Sequence, residues 1–417
     1  MKEKIKIGYV GLGRRGMNVL KKCFAEMEDV EVAMICDTYE PFMQETCDYL
    51  VEKGLKKPIL TTDYDDIISN PDIDAVVIMT GWENRPALAR KAMLAGKYTA
   101  IEVGGAFDLG ECYSLVEAYE ESGTPLMMLE NCCYDRREMM ALNISEKGLF
   151  GEIAHCAGGY HHYLPDEELF KDMDCPNPHY RITSYEKRNC ENYPTHELGP
   201  IAKLLKINRG NRMLTLSSFS SKAVGLKDSA KRILGEDSPY AKKDYKQGDI
   251  VTTVITCANG ETIQLTLDTT LPRPYYSRNF TVRGTKGMFT EERKVLFFEG
   301  MKEPVENNEE EMFEKYDHPL YTEYLSKGRK GGHGGMDYLV CRAFVESVKN
   351  GTNTPIDIYD SVTWLAVSVL SEMSIEKGGA PINFPDFTKG KWMDREPVVE
   401  GKYCLDKVCI DENTAIY

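Results

Sequence analysis

The sequence predicts an α/β protein. An N-terminal Rossmann-type, doubly wound parallel sheet is followed by an α+β domain with an open, largely antiparallel sheet. Three observations carry that prediction. Strand-like apolar runs alternate with helical spacing through the first part of the chain. The turn Gly11-Leu12-Gly13-Arg14-Arg15-Gly16 directly follows the first of these runs. Beyond about residue 130 the texture changes to β-rich runs, several separated by glycine-containing turns such as Asn259-Gly260. A dinucleotide-binding domain is therefore expected over residues 1–130 and a substrate-binding domain over 131–417.

Taken in order, residues 4–10 are apolar and β-rich, and 18–28 have helical spacing. Residues 30–36 read as a strand and 38–52 as a helix. The run IDAVVIM at 73–79 is nearly continuously apolar, as suits a parallel strand covered on both faces. A helix over 86–95 ends at Gly96, and a strand follows over 98–103. A helix over 109–122 has Gly123 just past its end, and a strand over 125–130 completes the alternation. Residues 136–146 are helical. Strands are expected over 153–163, 213–220, 250–257, 262–269, 280–284 and 295–298. The acidic stretch 301–316 reads as a solvated loop or short helix, and 336–349 and 360–376 as helices.

Composition narrows the function. The 417 residues carry 51 Lys and Arg against 66 Asp and Glu, a net charge of −15, which argues against nucleic acid as the main partner. No apolar run approaches the ~20 residues of a membrane span. The start MKEKIKIGYV passes straight into a strand, and no apolar stretch follows Arg14-Arg15 as in a twin-arginine signal. A cytoplasmic location is expected. The 13 cysteines are scattered, with no Cys-x-x-Cys, and are expected as packed, reduced thiols.

The Gly11–Gly16 turn has the context that a dinucleotide fingerprint needs, strand before and helix after. The first glycine allows the tight turn, the second lets a pyrophosphate approach the backbone, and the third allows close helix packing. Asp37 ends the next strand, where a carboxylate can bind the ribose diol and repel a 2′-phosphate, so NAD is favoured over NADP. Arg14 and Arg15 weigh the other way. Thr80–Arg85 and Glu102–Gly105 follow two further strands and should line the same crevice. Trp82 fits cofactor contact or packing.

Three clusters in the second half carry chemistry. Gly158-Gly159-Tyr160-His161-His162-Tyr163 ends a strand. In Asn192–Pro200, Tyr193 and His196 are three apart at a helix start and face the same way. They make an acid/base pair if the phenol's pKa is lowered towards that of histidine. Arg273-Pro274-Tyr275-Tyr276-Ser277-Arg278 can project a phenol into a pocket. His161 and His162 point to opposite faces of a strand, so no metal site is expected. Gly331–Gly335 reads as a site-adjacent structural turn or an anion loop.

This arrangement resembles the Gfo/Idh/MocA oxidoreductases, which use NAD or NADP on sugars and cyclitols. Typical members carry Glu-Lys-Pro where this chain has Glu102-Val103-Gly104, so the proton-transfer lysine is absent. A narrower resemblance explains the departure. Glu102-Val103, Glu130-Asn131, Gly158-Gly159-Tyr160, Tyr193-Pro194-Thr195-His196, Arg273-Pro274-Tyr275 and Gly332-His333-Gly334-Gly335-Met336-Asp337 resemble glycoside hydrolase family 109, the NAD-dependent α-N-acetylgalactosaminidases. The resemblance implies NAD contacts from Arg15, Gly16, Asp37, Trp82, Asn84, Arg85, Glu102, Val103 and Asn131, alongside Gly11, Gly13 and Arg14 of the turn. It implies substrate contacts from Tyr160, Arg181, Tyr193, Pro194, Thr195 and His196, and from Tyr275 or Tyr276, with Tyr275 the first choice. Arg85 stands where this subfamily usually has His. Tyr193, His196 and Tyr160 are the catalytic candidates.

The implied reaction is transient oxidation at C3 of a glycoside, loss of the C2 proton, elimination, water addition and re-reduction. The alternative is an NAD-dependent sugar or cyclitol dehydrogenase. A catalytically silent NAD or sugar sensor is a third reading, which Tyr193 and His196 oppose. By analogy with the family, a homo-oligomer is expected.

Overall fold

A computed structural model describes residues 4–171, 179–302, 305–328, 331–398 and 401–408. The first sheet contains β1 (Ile5–Val10), β2 (Val30–Cys36), β3 (Ile59–Thr61), β4 (Ala75–Ile78), β5 (Tyr98–Ile101) and β6 (Leu126–Met128). All neighbours are parallel, in the order β3-β2-β1-β4-β5-β6. β4 is buried on both faces, as its unbroken apolar run requires. The strand order reverses between β1 and β4, which opens a crevice beyond their carboxyl ends.

The helix after β1 is Arg14–Lys22, with a single 3₁₀ turn at Phe24–Glu26. It begins four residues earlier than its apolar spacing suggests. Gly13 caps it without a side-chain hydrogen bond, so no capping residue marks the start. β3 and the helix Tyr64–Ser69 have no counterpart in the sequence reading. β3 is a three-residue edge strand with no fully buried residue, and it carries little apolar signal.

The second sheet contains β7 (Ile153–His161), β8 (Met213–Ser220), β9 (Ile250–Cys257), β10 (Thr262–Asp268), β11 (Thr281–Gly284), β12 (Gly287–Thr290), β13 (Val295–Phe298) and β14 (Ile382–Asn383). Its order is β13-β12-β11-β7-β10-β9-β8-β14, and only the β7–β10 pair is parallel. Helix Thr195–Leu204 packs on β7 and β10, and helix Ile358–Glu376 packs on β8. On the other face Leu214, Phe219 and Val254 are exposed. Within 301–316 the chain forms the helix Glu309–Tyr316, and residues 303–304 of that stretch lie outside the described residues.

Two long helices return to the first sheet. Met336–Asn350 packs against β1, and Ile358–Glu376 against β6 and the helix Leu109–Ser122. The Asp357–Asp360 capping box starts the latter helix two residues before its expected beginning. The eleven cysteines among the described residues are free and buried.

Candidate functional site

The phosphate-binding turn is built as its glycines demand. Gly11 has φ +93°, which a side chain resists, and a Cβ there would stand 2.8 Å from the Thr80 nitrogen. A Cβ at Gly16 would stand 2.2 Å from the Gly11 carbonyl oxygen. Gly13 instead faces open space, with no heavy atom within 4 Å of such a Cβ. The bare backbone is thus presented where a pyrophosphate would approach. Asp37 is held against the turn: its carboxylate accepts from the Leu12 N–H at 2.5 Å and the Tyr39 N–H at 2.8 Å.

At the end of β4, Thr80 Oγ1 and Trp82 Nε1 are buried with no hydrogen-bond partner among the described residues. Two orphaned polar groups at the mouth of a dinucleotide crevice suit a cofactor's polar edge. Together with the open Gly13 backbone, they fit NAD. Arg14 and Asn84 are exposed at the rim.

Other cofactor candidates are tied to one another. Arg15 donates to Glu102 at 3.2 Å and, in a bidentate pair, to Asp337 at 2.7 and 2.8 Å. Asn131 and His333 also bond Asp337, each at 2.7 Å. The Gly331–Gly335 turn therefore delivers a carboxylate that fixes two residues of the cofactor side. Arg85 is 5% exposed and donates to the carbonyls of Thr80, Glu102 and Val103. It latches the ends of β4 and β5 together. Its guanidinium is committed to backbone, a role that an imidazole with two nitrogens cannot reproduce.

The substrate candidates come from four places and meet in one aromatic cluster. Tyr160 lies on β7, Arg181 in the helix Tyr180–Lys187, and Tyr193 and His196 at the start of the helix Thr195–Leu204. Ring centroids are 4.6 Å apart for Tyr160–Tyr193, 4.8 Å for Tyr193–His196 and 5.3 Å for Tyr160–His196. The Arg181 guanidinium stands 4.3 Å from the Tyr193 ring centre, and its Nε is buried without a hydrogen-bond partner among the described residues. Trp82 joins the cluster to the cofactor side, with its ring 6.1 Å from Tyr193. Pro194 and Thr195 are buried beneath these groups.

The adjacent tyrosines part company. Tyr276 is 44% exposed but reaches the cluster, with its ring 6.1 Å from the Tyr160 ring and 5.3 Å from His162. Tyr275 is 57% exposed and packs with Arg273, so the first choice between the two gives way to Tyr276. The expectation of a phenol titrating near neutrality is also reversed. Burial pushes Tyr160 and Tyr193 above the ordinary phenol value, although Arg181 opposes the shift at both.

Three residues of the site stand in motifs quoted from the sequence but are given no role there. His162 Nδ1 is 2.9 Å from the Tyr160 hydroxyl. Glu130, fully buried, is 2.8 Å from His196 Nδ1. Asp337 is the anchor described above. Glu130 ends the β6 segment of a parallel sheet, and that position was the available signal. Glu130, Cys132 and His196 bring one ligand-type atom each within 4.8 Å of one another.

Both halves of the chain match known protein families. Residues 5–130 match the oxidoreductase family with an NAD-binding Rossmann fold, and residues 134–394 match the glycosyl hydrolase 109 C-terminal domain. An α-N-acetylgalactosaminidase of Tannerella forsythia is 36% identical, over 94% of this chain and 88% of its own length. A glycosyl hydrolase family 109 protein of Stenotrophomonas maltophilia is 37% identical, over 96% and 93%. In fold, the chain is similar to levoglucosan dehydrogenase in complex with NADH and levoglucosan (TM-score 0.68, 18% identity, 92% of this chain and 100% of that one). It is also similar to the WlbA dehydrogenase of Bordetella pertussis in complex with NADH and UDP-GlcNAcA (TM-score 0.64, 16% identity, 92% and 99%).

Proposed function

The chain belongs to glycosyl hydrolase family 109, and on that premise we propose that it hydrolyses α-N-acetylgalactosaminides or related glycosides by oxidation, elimination, water addition and re-reduction. It is an NAD-dependent glycosidase. The observation that carries the mechanism is the aromatic cluster of Trp82, Tyr193, Tyr160 and His196 at the cofactor crevice, where Val103 stands in place of the proton-transfer lysine of typical Gfo/Idh/MocA oxidoreductases.

NAD, held at the Gly11–Gly16 turn and beside Thr80 and Trp82, would supply reversible hydride acceptance at C3 of the sugar. The protein must move the protons. His196 takes the C2 proton, because Nδ1 is engaged by Glu130 and Nε2 is left for the substrate. Tyr193 and Tyr160 are buried phenols that stay protonated. They donate hydrogen bonds to sugar oxygens, and a phenol that takes the C3 hydroxyl proton gives up its own in the same step, as Tyr160 can towards His162 Nδ1 at 2.9 Å. Arg181, with its buried Nε unpartnered among the described residues, binds a hydroxyl or the acyl carbonyl. Tyr276 closes the rim. The carboxylate-pair mechanism of most glycosidases is not invoked.

Self-association through the exposed face of the second sheet belongs to the same proposal. The test is a panel of p-nitrophenyl α- and β-glycosides beside free sugars and cyclitols with added NAD⁺. Nitrophenol release from α-N-acetylgalactosaminide without net NADH is expected. NADH formation from free sugars or cyclitols with no glycoside cleavage would establish a dehydrogenase instead.

A further inference from the structure

We propose that Glu130 is a positioning residue that fixes the tautomer and orientation of His196, so that the cofactor half of the protein sets the base for the substrate half. The inference rests on the assignment of His196 as the base for C2.

Glu130 lies just beyond β6, at the carboxyl edge of the first sheet, and His196 lies in the first turn of a helix that packs on the second sheet. Their side chains meet at 2.8 Å. The carboxylate is 0% exposed, whereas the histidine side chain keeps 12% of its surface open. Glu130 is therefore sealed behind the imidazole. Its Oε1 also accepts from the Cys132 N–H at 3.1 Å, which fixes the carboxylate plane. Burial by itself would raise the carboxyl, but His196 and the surrounding hydrogen bonds outweigh that and hold it below its ordinary value. An ionised carboxylate only accepts, so Nδ1 carries the hydrogen, and in the neutral ring that leaves the lone pair on Nε2. A neutral imidazole without this partner would populate both tautomers and turn more freely.

Two other readings fit less well. A metal held by Glu130, Cys132 and His196 would need Nδ1 bare and the thiol ionised. Instead Nδ1 stands at hydrogen-bond distance from the carboxylate, 2.8 Å, with room for a proton between them. A purely structural ion pair is a weak reason to bury a carboxylate this completely. The dyad also has a place in a larger frame. Asn131, the next residue, donates to Asp337, which holds Arg15 on the phosphate turn. One short segment after β6 thus reaches the base on one side and the cofactor network on the other.

The test is a double-mutant cycle with Glu130→Gln and His196→Ala, accompanied by histidine nitrogen NMR. Glu130→Gln keeps the shape but can offer an N–H to Nδ1. We expect kcat to fall by about 10²-fold, on the scale of partners that orient a functional histidine. KM should stay within about threefold and NAD occupancy should be unchanged, since the variant touches neither ligand. In the His196→Ala background the same substitution should cost nothing further. The His196 nitrogen signals should move from a single tautomer to a mixture. An equal loss in both backgrounds would make Glu130 a structural residue and overturn the proposal. An unchanged tautomer in a folded Glu130→Gln protein would overturn it as well. If His196→Ala alone leaves turnover intact, the assignment of the base fails, and the tautomer measurement still decides the Glu130–His196 coupling.

Discussion

Replacing Asp337 by Asn measures how far the second half of the chain prepares the cofactor site. Asp337 is 3% exposed and accepts two bonds from Arg15 at 2.7 and 2.8 Å, one from Asn131 at 2.7 Å and one from His333 at 2.7 Å. Burial works to raise its carboxyl, but Arg15 and His333 outweigh that and hold it well below the usual carboxylate range. Asparagine keeps the outline but offers one acceptor oxygen and turns an NH₂ toward other donors. Arg15 keeps its bond to Glu102 at 3.2 Å. Arg15 and Asn131 are then no longer fixed in advance, and binding must order them. Each immobilised side chain costs roughly 0.5–1.5 kcal/mol, so the pair costs about 1–3 kcal/mol. At about 1.4 kcal/mol per decade, NAD affinity should fall by about 5- to 150-fold. Titration calorimetry of NAD into the stripped protein gives the Kd directly. A folded Asp337→Asn variant whose Kd stays within about twofold of the parent would refute the preorganisation argument.

Other expectations concern single side chains. His196→Ala should keep NAD bound and lower kcat by about 10²–10⁴-fold, the usual worth of a positioned acid–base group; turnover near the parent value would remove His196 from the chemistry. Tyr276→Ala should raise KM severalfold while Tyr275→Ala leaves kinetics unchanged, because only Tyr276 reaches the Tyr160 cluster; the reverse pattern would restore Tyr275 as the substrate contact. Glu191 is buried with no charged partner beside it among the described residues, and burial raises its pKa to about 8 against the opposing backbone N–H of Tyr193. A folded-state pKa above the unfolded one means that the native state binds the extra proton, so this group lowers stability as pH rises from about 4.5 to 8. Glu191→Gln should therefore raise Tm at pH 8–9, with a ceiling of about 5 kcal/mol, and change little near pH 4. A pH-independent effect would contradict this account of Glu191.

The parts legible in sequence were those with local signatures. The glycine turn, Asp37 and the unbroken β4 run each announce themselves within a few residues, and so does the Tyr193–His196 spacing. Their partners do not. Glu130 finds His196 across 66 residues, and Asp337 finds Arg15 across 322. Such pairs depend on how the two sheets are brought together, which periodicity does not encode. Arg85 shows the converse limit. Its place in the sequence suggests a ligand contact, yet burial against three carbonyls commits it to backbone. The choice between Tyr275 and Tyr276 turns on which ring reaches Tyr160 and His162, and either order reads alike in sequence. The pKa direction of Tyr160 and Tyr193 depends on enclosure, which appears only once Trp82, Arg181 and His196 surround them.

The central claim is that the glycosidic bond breaks by C2 deprotonation after transient oxidation. The most direct measurement is hydrolysis of p-nitrophenyl α-N-acetylgalactosaminide in deuterated water, followed by analysis of the released sugar. The account predicts deuterium at C2, nitrophenol release and no net NADH. Nitrophenol release with hydrogen fully retained at C2 would contradict it.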